Sequence, residues 1–171
     1  CAFQLVQKDF PEMRLVLTGS DKGNKNYIID IAGKLGLKEN VIFTGFIDNE
    51  TMVALYSNAA AMVMPSFLGP TNMPLLEARL LACPVICSQL PGHKEIMQNA
   101  ALYFDPADHE EMSVQMKKVL NLVERKNLLE QASLTIPQSK FDVNKVLRAL
   151  NGHFIQLQAI RNTWGNSDKI F

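Results

Sequence analysis

The chain has 171 residues, of which 47% are hydrophobic, 20% charged and 8% aromatic, and its seventeen basic residues balance seventeen acidic ones. That length suits one domain able to bury roughly 70% of the surface its unfolded form exposes. The composition excludes a disordered or collagen-like chain, and zero net charge argues against broad nucleic-acid binding, which needs a surplus of Lys and Arg.

The opening CAFQLVQKDFPEM places Phe3, Val6 and Phe10 at helical spacing, and Pro11 ends that helix. Arg14 to Thr18 is an apolar run closed by Gly19 and reads as a buried strand. Tyr27, Ile28, Ile31, Ala32 and Leu35 give one face of a helix, with Gly36 beyond its end. Val41 to Phe43 is the second strand, and Asp48 or Asn49 caps a helix running to about Asn58. Ala61 to Met64 is the third strand, and the loop from Ser66 to Met73 leads to Pro74 at the start of a helix that reaches about Ala82. Val85 to Cys87 is the fourth strand. Pro91-Gly92 reads as a turn before a short helix from His93 to Gln98. Ala101 to Phe104 is the fifth strand. Three helices are then expected: one capped by Asp108 and reaching about Val123, one to about Ile136, and one from about Asp142 to Ile160.

Strands alternating with helices imply an α/β fold with a doubly wound parallel sheet, its strands buried on both faces. The chain reads as a single domain over residues 1–171, with the part after Asn151 helical. Cys1, Cys83 and Cys87 are too few for a disulfide framework and fit reduced thiols in a cytosolic protein. No apolar stretch is long enough to span a bilayer. The opening has no basic region, cleavage site or initiator Met, so a piece of a longer protein without a signal peptide is expected.

In open α/β sheets ligands sit beyond the carboxyl ends of the strands. Those ends carry Thr18-Gly19-Ser20, Gly45-Phe46-Ile47, Pro65 to Asn72, and Ser88-Gln89. The third is richest, because its loop runs into a helix whose free N–H groups favour an anion. Glu77 lies one turn inside that helix and can accept two hydroxyl hydrogen bonds. The same carboxylate on a solvated helix face would be ordinary. Phe46 and Ile47 suit a base platform or a cover for the sheet edge, and Gly69 suits a turn. His93 and His109 read as surface residues and His153 as structural. Cys83 and Cys87 read as buried, and no cluster has metal-ligand spacing.

The run Val63 to Ala78 resembles the core motif of the retaining, GT-B fold glycosyltransferases of family 4. Leu15 to Gly19, Val41 to Phe46, Pro84 to Ile86 and Ala100 to Pro106 resemble further family blocks, in order and at family spacing. The resemblance is to the C-terminal half, a Rossmann-like domain that binds the nucleotide-sugar donor. It implies a donor site of Gly19, Phe46, Ile47, Gly69, Pro70, Thr71, Asn72, Met73 and Glu77, with Glu77 on the ribose hydroxyls. It names no catalytic residue, metal or cofactor; a nucleotide-diphosphate sugar is the donor substrate. Gly69 stands where the family has an acid, and Pro70-Thr71-Asn72 stands where it has Gly-aromatic-Gly. These departures favour an alternative, a non-catalytic binding or assembly domain of the same ancestry.

The resemblance further implies an N-terminal acceptor-binding half outside this chain, no nucleic-acid partner and a role in polysaccharide or glycolipid synthesis. The location implied is cytoplasmic or peripheral at the inner face of the membrane. It also implies a central strand ahead of the first helix, so the strands from Arg14 and from Ala61 are expected not to pair. Two expectations concern packing. Leu75, Leu76, Leu80 and Leu81 should face the sheet, with Glu77 toward the cleft. Some of Phe154, Ile155, Leu157, Ile160 and Trp164 should be exposed or packed against a neighbouring molecule.

Overall fold

A computed structural model describes residues 1–69, 73–134 and 143–164. Cys1–Thr135 form one compact unit and Ile136–Phe171 another. In chain order the first holds α1 (Ala2–Asp9), β1 (Leu15–Thr18), α2 (Lys25–Lys34), β2 (Val41–Gly45), α3 (Asn49–Asn58) and β3 (Met62–Met64). It continues with α4 (Met73–Leu80), β4 (Val85–Ser88), α5 (Pro91–Met97), β5 (Ala101–Phe104), α6 (His109–Lys118) and α7 (Leu122–Leu134). The second holds α8 (Val143–Trp164), on which Phe154, Ile155, Leu157 and Ile160 are exposed, as expected. The expectation for Trp164's side chain lies outside the described residues.

The element order follows the apolar runs, and the differences have local causes. Pro91 and Gly92 are the first residues of α5, not a turn before it, because a proline at the first helical position lacks only an N–H that would have no helical partner. The helix after Asp108 stops at Lys118 and not near Val123. Asn121 Oδ1 there accepts from the N–H groups of Val123 (2.9 Å) and Glu124 (3.3 Å) and starts α7 afresh. Asp108 and Asp48 cap α6 and α3 as expected. At the end of α4, Cys83 N–H reaches Ala78 O and Ala82 N–H reaches Arg79 O, with Ala82 at φ +52°. This is a left-handed helix stop with alanine where glycine is usual.

All ladders are parallel, and they form two half-sheets, β1-β2 and β3-β4-β5. Among the described residues no ladder joins β1 to β3, as the resemblance implied. A cavity of about 710 Å³ lies between them, lined by Leu15, Leu17, Met62 and Met64 among others.

Side chains alternate across the strands with period two. Met62, Met64, Val85, Cys87, Ala101 and Tyr103 pack on one face with α4, α5 and Tyr56 of α3. Val63, Ile86, Leu102 and Phe104 pack on the other with α6 and Leu128 of α7. Leu15 and Val41 pack with Phe3 and Val6 of α1 and Ala32 of α2. Met116 and Leu120 join both of the last two groups, so α1, α2 and α6 cover one face. The expected burial of every strand holds for β4 and nearly all of β5, but not for β1, β2 or β3, which have no buried residue. β1 and β3 line the cavity.

Candidate functional site

The carboxyl ends of β1 and β2 lie side by side. Gly19 N–H donates to Gly45 O at 2.9 Å, which extends the ladder one step past Thr18. Gly19 (φ +111°) and Gly45 (φ +69°) both take left-handed backbone, so the chain leaves the sheet at one level on both strands. A Cβ at Gly19 would meet no atom within 4 Å, so conformation and not space favours glycine there. Beyond Gly45, Phe46 projects into solvent, 85% exposed, while Ile47 is half-buried. Asp48 accepts the Thr51 N–H at 2.8 Å. Hydrogen bonds from Thr51, the hydroxyl's first and the backbone's next, hold its carboxyl below the usual range.

After β3, Phe67 and Leu68 are exposed and Gly69 is half-buried. Pro70, Thr71 and Asn72 lie outside the described residues. Met73, exposed, opens α4 one residue before Pro74. Glu77 is exposed on that helix, and the Tyr56 hydroxyl of α3 donates to its Oε2 at 3.3 Å. Burial, then the negative charge of Glu77, pushes the Tyr56 phenol up to about 12, so it stays a neutral donor at ordinary pH. Glu77 and Tyr56 are thus brought together. Gly19, Gly45 and Phe46 form a separate cluster on the other half-sheet.

Leu80 was expected to face the sheet but is 72% exposed. Leu75, Ala78 and Arg79, spaced i, i+3 and i+4, form the buried face instead. Arg79 was not foreseen as an inward residue. Its guanidinium donates to Ile96 O at 2.7 Å and to Ala132 O at 3.1 Å, which are carbonyls in the last turns of α5 and α7. The helical spacing from Leu75 was the available signal. Burial lowers its pKa.

His93 also corrects the sequence reading, being fully buried rather than at the surface. Its Nδ1 lies 2.8 Å from Ser88 O, and Ser88 Oγ donates to Met64 O at 3.2 Å. The ends of β3 and β4 and the first turn of α5 are therefore tied by one polar chain. A serine closing a strand, with a histidine five residues on, was the only sequence trace of it. Cys83 and Cys87 are buried as expected, and burial pushes the Cys87 thiol up to about 12. Among the described residues no three metal-ligating side chains cluster, and no helix is long and apolar enough to cross a membrane.

The parallel α/β sheet with its crossover helices is that of a known class. The chain belongs to the glycosyl transferases group 1 family, whose model matches residues 1–134. Its fold is that of the C-terminal half of a GT-B glycosyltransferase. An uncharacterized glycosyltransferase of Methanocaldococcus jannaschii, MJ1607, is 34% identical over 86 residues, covering 50% of this chain and 22% of that protein. The O-antigen chain mannosyltransferase B of Escherichia coli is 30% identical over 122 residues, 70% of this chain and 32% of that protein. Among solved structures, Anabaena Alr3699/HepE in complex with UDP-glucose superposes with a TM-score of 0.71 at 18% identity, over 85% of this chain and 42% of that one. The chain thus spans less than a third of the two curated relatives.

Proposed function

We propose that this chain is the donor-binding half of a glycosyltransferase that moves a sugar from a nucleoside diphosphate to a hydroxyl acceptor with retention at the anomeric carbon. Membership of the group 1 family carries this reading. The exposed Glu77 carboxylate, next to a neutral phenol donor, supports it. HepE, which shares this fold over part of its chain, is known in complex with UDP-glucose. By this reading Glu77 takes the ribose hydroxyls. Phe46 and Ile47 meet the base, Gly19 gives the phosphates room, and Gly69 to Met73 face the sugar. The task of such a half is to hold the leaving diphosphate where its developing charge is stabilised. The acceptor site belongs to an N-terminal half outside this chain, and the O-antigen relative favours polysaccharide synthesis as the setting. The donor is substrate, no cofactor or metal is called for, and the site of action is cytoplasmic, with membrane association open to the full enzyme.

One observation favours a second reading. Gly69 has no carboxylate to offer the donor sugar, which fits a binding or assembly domain that has lost its chemistry. Thermal shift with uridine, guanosine and adenosine diphosphates and their sugars separates the two. Selective stabilisation by one nucleotide supports the transferase half, because a ligand that binds only the folded state raises its melting temperature. No response to any of them supports the assembly domain.

A further inference from the structure

One polar contact at the candidate site joins two helices. Tyr56 lies near the end of α3 and Glu77 in the middle of α4, with β3 between them in the chain. The Tyr56 hydroxyl donates to Glu77 Oε2 at 3.3 Å. Among the described residues this is the one hydrogen bond of the Glu77 carboxylate, and no Lys or Arg pairs with it.

The two partners are held unequally. Glu77 is exposed, and a glutamate on a helix surface keeps much of its rotamer freedom. Tyr56 is half-buried, and its ring packs against the buried group that includes Leu75 and Ala78 of α4. A phenol anchored by its apolar body presents its hydroxyl at a fixed place. The donor is therefore the rigid member and the acceptor the movable one. Burial first, and then the charge of Glu77, keep the phenol protonated at ordinary pH, so towards Glu77 it acts as a donor. A neutral donor orients a carboxylate without cancelling its charge, whereas a cation in the same place would compete with incoming hydroxyls. An ionised carboxylate has about four acceptor positions, and one phenol leaves enough of them for two neighbouring hydroxyls.

We propose that Tyr56 is the positioning residue of Glu77: it does not touch the nucleotide but holds the carboxylate in the one orientation that receives both ribose hydroxyls. This rests on the reading that Glu77 takes those hydroxyls. The carboxylate is then set before the ligand arrives, so less side-chain freedom is lost on binding. Tyr56→Phe acts only through Glu77, and only on ligands that carry the hydroxyls.

The test is titration calorimetry on the full-length enzyme with uridine, guanosine and adenosine diphosphates, each beside its analogue lacking both ribose hydroxyls. For the diphosphate that binds most tightly, the preference for the hydroxylated form should fall by about twofold to tenfold in Tyr56→Phe, the effect of one side chain left to be immobilised on binding. Affinity for the analogue and the melting temperature of Tyr56→Phe should stay close to wild type. The preference should fall further in Glu77→Ala, and adding Tyr56→Phe to Glu77→Ala should change it no more. A lower preference in Glu77→Ala with a wild-type preference in Tyr56→Phe overturns the proposal and leaves the donor reading standing. So does a further fall in the double variant, which would mean that Tyr56 acts on the ligand directly. Equal loss of affinity for both ligands, or a Tyr56→Phe protein that does not fold, makes the tyrosine structural and overturns the proposal too. An unchanged preference in Glu77→Ala, or no binding of any of the three diphosphates, overturns the donor reading and the proposal together.

Discussion

Replacing Arg79 with Met removes a charge but keeps a long side chain of similar reach. Arg79 is 5% exposed, and its guanidinium hydrogen-bonds to carbonyls in the last turns of α5 and α7. The negative ends of two helix dipoles thus converge on one cation. Each hydrogen bond to a charged group is worth roughly 1.5–3 kcal/mol, offset in part by the desolvation the arginine no longer suffers. A net loss of about 2–4 kcal/mol follows, which for a domain of this size lowers the melting temperature by roughly 5–15 °C. Arg79→Lys keeps the charge but reaches one carbonyl at a time, so it should fall between. Calorimetry on the three proteins gives the answer, and hydrogen exchange at the C-terminal turn of α7 should quicken in parallel. A melting temperature for Arg79→Met within about 2 °C of the parent would refute the reasoning. It would mean the helix ends satisfy their carbonyls without the guanidinium.

Glu77→Gln should weaken nucleoside diphosphate binding by about tenfold to a hundredfold, since roughly 1.4 kcal/mol is a factor of ten, with the melting temperature unchanged; titration calorimetry reads the affinity and scanning calorimetry the melting temperature. Asp48 has a folded-state pKa below its usual 3.8, so its contribution to stability is present above that value and lost as pH falls through the folded value. Asp48→Asn caps as well but does not titrate, so wild type should lose melting temperature relative to it only on the acid side, in scans from neutral pH down to about 2.5. A thiol reagent at neutral pH should label Cys1 in the folded protein, and all three cysteines only after denaturation, because Cys83 and Cys87 are buried; mass spectrometry counts the adducts.

Most strands and helices were legible because apolar runs, prolines and acidic caps all sit at element ends. Asp48, Asp108 and Val85 to Ser88 behave as their local chemistry dictates. What was not legible depends on partners distant in sequence. The carbonyls that make a buried Arg79 tolerable come from residues 17 and 53 positions away. His93 is buried because Ser88 O and the ends of two strands meet over it. The break in α6 turns on whether Asn121 bonds backwards or forwards, which composition does not decide. At the candidate site the residue types were legible, but the Tyr56–Glu77 contact was not, since it joins two helices across a strand.

The stop at the end of α4 has a consequence for anyone wishing to stabilise this protein. Ala82 holds a left-handed backbone, and Cys83, directly after it, is already buried beside β4. An L-residue in that conformation is disfavoured by roughly 1–2 kcal/mol. Glycine would remove the clash while freeing the unfolded chain by about 0.4–1 kcal/mol. The difference favours Ala82→Gly by up to about 1.6 kcal/mol. Position 82 is thus a place where deleting one methyl group makes a helix end firmer. The gain also holds β4 at its entry point into the sheet, because only Leu81 and the strained Ala82 separate α4 from Cys83 and Pro84.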